Sequence, residues 1–598
     1  MLDIVLVNPV KIRDSYSVLP LGTLTLGTIL KNSGFNVLIL DFNYLWEKGF
    51  LKKGEDIETT LSLMSSYLLE LKPGIIGFST NSSCHHVAIA LSEQIKARSS
   101  IKIIFGGHQA SLTALETMTK YPWIDLISVG EGENNIVPIV LALSQGKSVK
   151  NIKGIVYRRE NEVIKNEEIE LLEDLDKLPM LDYSLTNLDL ELKKSSNIAF
   201  PIEVGRSCPF SCTFCCTKTF WKYKFRMKST PRLLAEIEYI ISNYSVSSFH
   251  FLHDLFTYNK SKVLEFCNLV AAKGLKFRWI CSARVDTLDE EMIKAMKAAG
   301  CEKIFLGIET ASTDLQKSIR KNLKISAIWE KVKLLKDYGI KAEAGFMYGF
   351  PEETEEDVNL TLNMMIKGAR MGVWFPEIGI LNVENGTEIY YNIREKLYFS
   401  QDLDNIYLCG KEETEYFYSS FKENPELYPH FYDFDNKTRQ KYKYLDKFMW
   451  ILITLMFLGL RTTISFLIAV YKNNILNLYL DMTDTCADAF KEIFVENFAV
   501  AKGNETALID RRISLLEKLL LLVKDKKENG AILYQLFDLE RNIIHLRVFG
   551  KLNDKIQLQY DYNLLQLKQS GTIDDSVKTF AIRLNKISES KIEICGEV

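Results

Sequence analysis

Short apolar segments alternate with helix-compatible segments over residues 1–145, and this alternation constrains the fold more than any other feature of the sequence. The apolar segments are rich in β-branched residues and lack polar alternation, which is typical of strands buried on both faces of a sheet. A polar or glycine-bearing turn follows each of them. The pattern predicts an α/β fold that begins with a doubly wound parallel sheet, with strands at residues 4–7, 37–40, 75–78, 101–105 and 126–129.

The loops after these strands carry residues suited to ligand binding. Parallel sheets of this type bind their ligands at the carboxyl ends of the strands. Glycine at such a position lets a ligand approach the backbone closely, because it has no side chain. A nicotinamide fingerprint, GxGxxG after the first strand, is absent. The candidate binding residues of these loops are Asn8, Ser79, Asn81, Gly106, Gly107, His108, Gly130, Glu131 and Gly132.

The sequence divides into four regions. A first domain at residues 1–150 is followed by a hairpin and linker at residues 151–198. Between residues 199 and 395, apolar segments again alternate with helical ones, which predicts a partial α/β barrel. Residues 396–598 change to aromatic-rich and Lys/Glu-rich helical segments, so a mainly helical carboxy-terminal domain is expected.

The composition of the chain limits its expected binding partners and its expected cellular compartment. The chain of 598 residues has 74 Lys plus Arg and 77 Asp plus Glu, for a formal net charge of −3. This balance gives no basic surface for nucleic acid, so nucleic acid is not an expected partner. The 11 cysteines include one tight cluster, which favours metal ligation in a reducing compartment and hence a cytoplasmic location. The amino terminus, MLDIVLVNPV, resembles a buried strand and not a signal peptide.

One apolar stretch, residues 449–470, is interrupted by Arg461. Its first run of about 12 apolar residues is shorter than the roughly 20 that a bilayer-spanning helix needs. A buried helix pair is therefore expected instead of a stable membrane span, with membrane association as the alternative.

Four cysteines follow the first strand of the predicted barrel, in the segment VGRSCPFSCTFCC. Cys208, Cys212 and Cys215 are spaced as CxxxCxxC, and thiolates are the protein ligands of iron–sulfur clusters. Three thiolates leave one iron of a four-iron cluster open, as in catalytic metal sites. Cys216 adjoins Cys215, and neighbouring side chains rarely reach one cluster, so it is not an expected ligand. The spacing predicts a catalytic 4Fe–4S cluster; buried cysteines or a zinc knuckle are the alternatives.

The cysteine motif resembles that of the radical S-adenosylmethionine (SAM) superfamily, which has an aromatic residue, here Phe214, before the last cysteine. The resemblance implies that the open iron binds the amino and carboxylate groups of SAM. Reductive cleavage of SAM then gives a 5′-deoxyadenosyl radical that abstracts a hydrogen atom from the substrate. The protein docks SAM and shields the radical, while the cofactor supplies the chemistry. An electron donor such as flavodoxin or ferredoxin is implied as a partner.

Later segments resemble the SAM-contacting segments of this superfamily. Residues 345–352 (GFMYGFPE) resemble its GxIxGxxE strand near the adenine, and residues 307–312 (GIETAS) resemble its GIE(S/T)GS element. Ser282 and Arg284 match side chains near the SAM carboxylate and ribose; the planar fork of Arg suits a carboxylate. Where many members have Gly-Gly-Glu for the SAM amino group, this chain has Asp254, whose alternative role is a helix N-cap. The implied SAM-binding residues are Phe214, Asp254, Ser282, Arg284, Glu309, Gly345 and Gly349.

The first domain resembles the cobalamin-binding domain of class B, or cobalamin-dependent, radical SAM enzymes. The segments that carry this resemblance are residues 20–41, FGGHQAS at residues 105–111 and ISVGEGE at residues 127–133. It implies that the nine loop residues named above bind cobalamin. Proteins that ligate cobalt from below carry Asp-x-His-x-x-Gly after the second strand, whereas residues 41–46 (DFNYLW) contain no histidine. The sequence therefore predicts cobalt without a lower histidine ligand, with His108 beside the corrin and not on the metal.

The two cofactors together imply methyl transfer by a radical route. The resemblance implies methylation of an unactivated carbon or phosphorus of a small-molecule natural product or a peptide, with methylcobalamin as the methyl donor. A non-methylating rearrangement or cyclisation is the alternative, because the same motifs serve both. A cofactor-binding sensor without turnover is disfavoured by the SAM-contacting segments. A methylthiotransferase is disfavoured because Cys84 is the single cysteine in residues 1–200. The carboxy-terminal domain is expected to select the substrate.

Overall fold

The structure is a computed structural model of the chain. It describes residues 2–8, 12, 19–168, 170–186, 199–373, 378–400 and 410–485, parts of residues 513–544, and three strands within residues 555–597. The chain forms two compact units. The first unit comprises Met1–Gly307, Lys317–Lys341 and Leu381–Asp435, and the second comprises Ile308–Gln316, Ala342–Ile380 and Asn436–Val598.

Seven strands open the first unit: β1 (Ile4–Val7), β2 (Val37–Leu40), β3 (Ile75–Ser79), β4 (Lys102–Gly106), β5 (Leu126–Ser128), β6 (Ile155–Arg159) and β7 (Glu162–Lys165). They form one sheet in the order β2-β1-β3-β4-β5-β6-β7. The first five pair in parallel, and β6 and β7 add an antiparallel hairpin beside β5. The five parallel strands are those that the apolar segments predicted, and residues such as Ile4, Ile76 and Phe105 are fully buried.

Helices connect these strands: α1 (Leu21–Asn32), α2 (Phe42–Glu47), α3 (Ile57–Glu70), α4 (His85–Arg98), α5 (His108–Leu112), α6 (Ala114–Lys120) and α7 (Ile136–Ser144). Several begin at side-chain caps that satisfy backbone N–H groups. The Asp41 carboxylate accepts from the Tyr44 N–H at the start of α2, and Asp56 caps α3 in the same way through the Thr59 N–H.

A second strand–helix alternation continues the first unit. Its strands are β8 (Phe200–Glu203), β9 (Gly205–Arg206), β10 (Arg226–Met227), β11 (Ser248–Leu252), β12 (Arg278–Ala283) and β13 (Cys301–Glu309). Strands β8, β11, β12 and β13 pair in parallel, each with the next, and β9 pairs antiparallel with β10. The helices along this part of the chain are α8 (Thr217–Phe220), α9 (Thr230–Asn243), α10 (Lys260–Ala272), α11 (Glu290–Ala298), α12 (Thr313–Ser318) and α13 (Ile325–Asp337).

The second unit contains the last two strands of this alternation. Strand β14 (Lys341–Tyr348), helix α14 (Glu355–Met371) and strand β15 (Ile378–Ile380) follow one another, and β14 pairs in parallel with β15. Strands therefore alternate with helices between residues 200 and 380, as the sequence predicted, and the α/β class is confirmed. The chain then returns to the first unit with α15 (Glu388–Ile393), β16 (Tyr398–Phe399), α16 (Lys411–Tyr416), α17 (Tyr418–Lys422) and β17 (Tyr432–Asp433).

The carboxy-terminal part of the second unit is helical, as predicted, up to residue 485. Its helices are α18 (Lys437–Lys441), α19 (Leu445–Leu455), α20 (Arg461–Val470) and α21 (Ile475–Thr485). The apolar stretch at residues 449–470 forms the predicted buried pair, α19 and α20, which is interrupted at Gly459 by a φ of 129°. Among the described residues, no helix combines the length and the apolar character needed to cross a membrane. Strands β18 (Lys555–Tyr560), β19 (Phe580–Ser588) and β20 (Lys591–Glu597) form an antiparallel sheet.

Candidate functional site

The cysteine loop, residues 207–216, connects β9 to α8 in the first unit. It is held at its middle by the backbone of Thr213. The Thr213 N–H donates to the Ile319 carbonyl at 3.0 Å, and its carbonyl accepts from the Ile389 N–H at 3.1 Å. Two segments that are distant in sequence therefore fix the path of the loop.

The thiols of this loop lie close enough to influence one another. Burial, together with negative charge on Cys212, Cys215 and Asp254, raises the pKa of the Cys208 thiol to about 11. The Cys215 N–H donates to the Cys212 carbonyl at 3.2 Å, which closes a turn between the last two cysteines. The Cys208 thiol is therefore protonated at neutral pH, and binding of iron would release its proton.

The cysteine loop carries Cys208, Cys212 and Cys215 on one short segment, and none of them forms a disulfide bond with another described cysteine. Within the part of the chain that the structure describes, no group of three or more His, Cys, Asp or Glu side chains is arranged to hold a single metal ion. Ligands of a four-iron cluster have a different geometry, because each cysteine binds a different iron and the sulfurs lie further apart. The donor set of this loop fits such a cluster, with one iron left for SAM.

Asp254 follows β11 and lies beside the cysteine loop. The Thr217 hydroxyl donates to Asp254 Oδ1 at 3.4 Å. The carboxylate is accessible to solvent, but protein atoms around it displace part of its water. This desolvation raises its pKa, while hydrogen bonds from the Ser207 backbone and Thr217 lower it. The alternative role as a helix N-cap is not the one observed, since Asn259 caps the next helix, α10, by accepting from the Lys262 N–H.

Arg284 is buried and stacks on the cysteine loop, with its guanidinium carbon 3.7 Å from the ring centroid of Phe210. Nε and Nη2 donate to the two carboxylate oxygens of Asp286 at 3.0 and 2.9 Å, and Nη2 donates to the Lys321 carbonyl at 2.7 Å. Its Nη1 is buried and has no hydrogen-bond partner among the described residues. A fixed guanidinium with a spare donor suits the carboxylate of SAM. Ser282 lies within β12, which ends one residue before Arg284, and is half-buried.

Glu384 lies near this loop, although no sequence pattern singled it out. Burial raises its pKa to about 7, against a hydrogen bond with Ser82 that lowers it. Its Oε2 is 4.0 Å from Nδ1 of His430, and its side chain keeps 27% of its exposure. Burial raises the pKa of Cys216 to about 12, with smaller contributions from the charges of Cys215 and Glu384. Glu384 is thus reachable by solvent yet mostly surrounded by protein, as in the wall of a concave site.

In the second unit, Gly345 lies within β14 and Gly349 directly follows it. Gly349 has a φ of 83°, and a Cβ there would lie 2.9 Å from Cγ of Arg439. The Glu353 carboxylate accepts from the Gly349 N–H and, at 3.3 Å, from the next N–H along the chain. The sequence motif had pointed to Glu352, which is exposed, whereas Glu353 is buried and shapes this turn.

Glu309 ends β13 in the second unit with a φ of 68°, which is uncommon for a residue other than glycine. The turn after it is held by Gln316, whose side-chain amide donates to the carbonyls of Ile308 and Thr310 at 2.7 and 2.8 Å. Backbone strain that the surroundings hold in place is often found at ligand-binding sites. Its assignment to SAM stays a prediction, as do those of Phe214, Gly345 and Gly349.

A cavity of about 320 Å³ opens at the carboxyl ends of the first sheet, here called the sheet cavity. Arg206, Phe220 and Trp221, which flank the cysteine loop, contribute to its wall. Gly107, with a φ of 89°, is required there because a Cβ would lie 2.7 Å from the Thr80 carbonyl oxygen. Six of the nine predicted binding residues line this cavity, namely Ser79, Gly106, Gly107, Gly130, Glu131 and Gly132.

The other three predicted residues, Asn8, Asn81 and His108, do not line the sheet cavity. Asn8 Nδ2 donates to Asp41 Oδ2 at 2.8 Å, and Asn81 Oδ1 accepts from the N–H and the hydroxyl of the serine two residues later. The ring of His108 lies 5.0 Å from that of Phe220, and burial lowers its pKa to about 4. Asn8 therefore joins the segments that follow β1 and β2, and Asn81 stabilises its own turn. His108 is neutral and lies beside one residue of the cavity wall.

The segment after β2 is helical, since residues 42–47 form α2. The described residues that line the sheet cavity include no histidine. Cobalt without a lower histidine ligand agrees with both observations and stays a prediction.

Two family models match the chain in the order of these two regions. The B12 binding domain matches residues 9–140, and the radical SAM superfamily matches residues 202–365. The chain is 30% identical over 312 residues to an uncharacterized methyltransferase of Pyrococcus horikoshii, which covers 52% of this chain and 68% of that protein. It is 27% identical over 350 residues to the anaerobic magnesium-protoporphyrin IX monomethyl ester cyclase of Synechocystis, covering 58% of this chain and 68% of the cyclase.

A solved structure shares the fold over most of the chain. It is that of the cobalamin-dependent S-adenosylmethionine radical enzyme OxsB with aqua-cobalamin and S-adenosylmethionine bound, with a TM-score of 0.61 and 17% identity. The likeness covers 92% of this chain and 81% of that one. The site and these matches define a radical SAM enzyme. More narrowly, the chain belongs to the cobalamin-dependent, or class B, radical SAM family, whose amino-terminal domain binds cobalamin.

Ser207 generates a stability prediction, because it is buried with a φ of 76° and its hydroxyl has no hydrogen-bond partner among the described residues. Left-handed backbone at a residue with a Cβ costs about 1 kcal/mol or more. We expect the free energy of unfolding of Ser207→Gly to exceed that of Ser207→Ala by about 1 kcal/mol, because only glycine relieves the backbone strain. Denaturant unfolding of the two variants measures this difference. A glycine variant less stable than the alanine variant would contradict this account.

Glu353 generates a pH prediction. Burial and the charge of Asp357 raise its pKa from 4.5 to about 8, against two backbone hydrogen bonds and Arg439, which lower it. The folded state therefore holds a proton that the unfolded state has lost, so this group's contribution to the free energy of unfolding falls as pH rises from about 4.5 to about 8. The limiting slope is about 1.4 kcal/mol per pH unit. We expect the free energy of unfolding of Glu353→Gln to rise relative to that of the wild type as pH increases through this range, as measured by denaturant unfolding. Free energies of unfolding that change in parallel with pH in the two proteins would contradict this prediction.

Proposed function

We propose that this protein is a cobalamin-dependent radical SAM methyltransferase that methylates an unactivated carbon or phosphorus of a natural product or a peptide. The observation that carries the proposal is the position of Arg206, which lines the sheet cavity and directly precedes the cysteine loop. A corrin in the cavity and a cluster on the loop would then be neighbours. Two reagents held around one substrate react faster because their encounter is no longer left to diffusion.

The residues near the cysteine loop have defined roles in this proposal. Cys208, Cys212 and Cys215 hold the cluster through their thiolates. Arg284 offers its spare Nη1 donor to the SAM carboxylate, and Asp254 accepts from the SAM amino group. When bound, the cofactors would supply a 5′-deoxyadenosyl radical and a methyl group on cobalt.

The sheet cavity takes the cobalamin in this proposal. Glycines along its wall, including Gly106 and Gly107, let the backbone approach the cofactor. The carboxylates of Glu133 and Glu203 also face the cavity and can accept hydrogen bonds from the amide side chains of a corrin.

Glu384 is the candidate proton carrier of the site. Its carboxyl group has a pKa of about 7, so both protonation states are populated near neutral pH. A substrate with a hydroxyl or amino group beside the reacting carbon would be oriented by this carboxylate and could lose a proton to it.

A non-methylating reaction is the second candidate function. The observation that favours it is the similarity to a protein named as a cyclase, at 27% identity, beside the one named as a methyltransferase, at 30%. Both candidates use the same two cofactor sites. Both also need an electron donor such as flavodoxin or ferredoxin, and a reducing compartment such as the cytoplasm.

The first experiment measures cofactor content and SAM cleavage together. The full chain is purified without oxygen, reconstituted with iron, sulfide and hydroxocobalamin, and incubated with SAM and dithionite. We expect bound iron and cobalamin, with 5′-deoxyadenosine and S-adenosylhomocysteine both detected by mass spectrometry. Cys212→Ala should abolish 5′-deoxyadenosine, whereas Cys216→Ala, a matched change one residue beyond the motif, should retain it.

The outcomes separate the candidates. Deoxyadenosine without S-adenosylhomocysteine, in protein that has bound cobalamin, would favour the non-methylating reaction. Wild-type protein that binds no iron and cleaves no SAM would reject both. Loss of cleavage in Cys216→Ala together with retention in Cys212→Ala would reject the assigned ligand set.

Gly107 tests the cobalamin cavity independently of turnover. We expect Gly107→Ala to weaken hydroxocobalamin binding about tenfold or more, because its Cβ would meet the Thr80 backbone and displace the cavity wall. Gly34→Ala is the matched control, since Gly34 has the same φ of 89° but no atom within 4 Å of an added Cβ. Equal affinities of the two variants, measured by absorbance titration, would argue against this cavity.

A further inference from the structure

A buried group of charges joins the sheet cavity to the cysteine loop. Arg206, 5% exposed, is its centre. Its Nη1 donates to Glu131 at 2.8 Å, its Nη2 to Glu133 at 2.6 Å and its Nε to Glu203 at 2.8 Å. Burial lowers the pKa of Arg206, but the three carboxylates raise it more, so the guanidinium stays charged. We call these residues, with Arg226 and Trp221, the arginine cluster.

A second guanidinium completes the cluster. Arg226 Nη1 lies 2.8 Å from Glu131 Oε1 and donates to the Leu172 carbonyl at 2.7 Å. The indole of Trp221 lies 5.4 Å from the guanidinium carbon of Arg206 and 5.7 Å from that of Arg226. Glu131 is therefore shared by both arginines. Removing one charge from such a buried group leaves its partners desolvated and unpaired, which is costly.

The arginine cluster lies at the start of the cysteine loop. Arg206 ends β9, which pairs with Arg226 of β10, and a Cβ on the preceding Gly205 would lie 2.5 Å from the Arg226 carbonyl oxygen. The next residue, Ser207, turns the chain with a φ of 76°, and Cys208 follows. The backbone that presents Cys208 therefore leaves directly from the residue that the carboxylates hold.

The same carboxylates also form the wall of the sheet cavity. Glu131 and Glu133 follow β5 of the first sheet, whereas Glu203 ends β8 beside the cysteine loop. All three line the cavity, together with Arg206 and Trp221. A ligand that fills the cavity would therefore contact the same side chains that hold Arg206 in place.

We propose that Arg206 is a positioning residue that couples occupancy of the sheet cavity to the geometry of the cysteine loop. A corrin against Glu131 and Glu133 fixes the guanidinium, and the guanidinium fixes the backbone that leads to Cys208. Such coupling is reciprocal for binding free energies, so an assembled iron–sulfur cluster should in turn strengthen corrin binding. The inference rests on the proposed function in taking the ligand of the cavity to be cobalamin.

The experiment measures loss of the iron–sulfur cluster and needs no substrate. Reconstituted full-length protein, with and without saturating hydroxocobalamin, is mixed anaerobically with an iron chelator, and iron release is followed by absorbance. In the wild type we expect bound cobalamin to slow iron release about fivefold or more. The measured quantity is the ratio of the iron-release rate without cobalamin to the rate with saturating cobalamin. This ratio should fall toward one in Glu131→Gln, and also in Glu133→Gln, which removes a carboxylate bound to only one arginine.

Glu236→Gln is the matched control. The Glu236 carboxylate is as buried as that of Glu133, at 10% exposure, and is paired with Lys228 and Arg232 at 2.7 Å, but it does not line the cavity. It should keep the wild-type ratio even if its melting temperature falls. If bound cobalamin also failed to slow iron release in Glu236→Gln, the losses in the glutamine variants would be due to general destabilisation, and the proposal would be overturned.

Two further results would overturn the proposal for different reasons. Wild-type protein that binds cobalamin but releases iron at the same rate with and without it would reject the coupling and leave the proposed function standing. Wild-type protein that binds iron but no cobalamin would reject both. Bound cobalamin and bound iron are quantified in every sample, so the two failures are distinguishable.

Discussion

Two buried arginines hold the first sheet against the segment that leads into the cysteine loop, and the candidate site depends on that contact. Arg206 and Arg226 share Glu131, which follows β5, and Arg206 also binds Glu133 and Glu203. Charges this deeply buried are tolerated only when each is paired in good geometry. The arrangement stabilises the observed position of the residue before the cysteine loop, because a displacement of Arg206 would leave several charges unpaired.

Further contacts hold the backbone of the loop beyond Cys208. Thr213 is hydrogen-bonded through both its N–H and its carbonyl, and Arg284 stacks on Phe210 while Asp286 and a backbone carbonyl orient its guanidinium. The Nη1 donor of Arg284 and the Ser207 hydroxyl are buried without a hydrogen-bond partner among the described residues. A site whose side chains are already held in place loses little entropy when a ligand binds.

The sequence was most informative where chemistry and local pattern coincide. The apolar strands, the CxxxCxxC spacing and the glycines of the sheet loops could all be located, because each signal lies within a few residues. Gly107 is an example, since only a residue without a Cβ fits against Thr80. Asn81 in the same loops stays a prediction, and its side chain accepts two hydrogen bonds within its own turn.

Contacts between distant segments could not be predicted in this way. Arg206 stands 75 residues from Glu131, and the motif VGRSC gives no reason to pair them. Nor does spacing alone show which of two adjacent carboxylates is buried: Glu352 is exposed, whereas Glu353 is buried and accepts from the backbone at Gly349. Glu384 had no signal at all, because its environment comes from three separate segments of the chain.

The proposed function requires that one chain binds both a SAM-binding 4Fe–4S cluster and a cobalamin. Electron paramagnetic resonance of the reconstituted, partly reduced protein tests this requirement. We expect a reduced 4Fe–4S signal and a cob(II)alamin signal in the same sample, and we expect the 4Fe–4S signal to change when SAM is added. A cluster signal that SAM leaves unchanged, or protein that binds only one of the two cofactors, would contradict it.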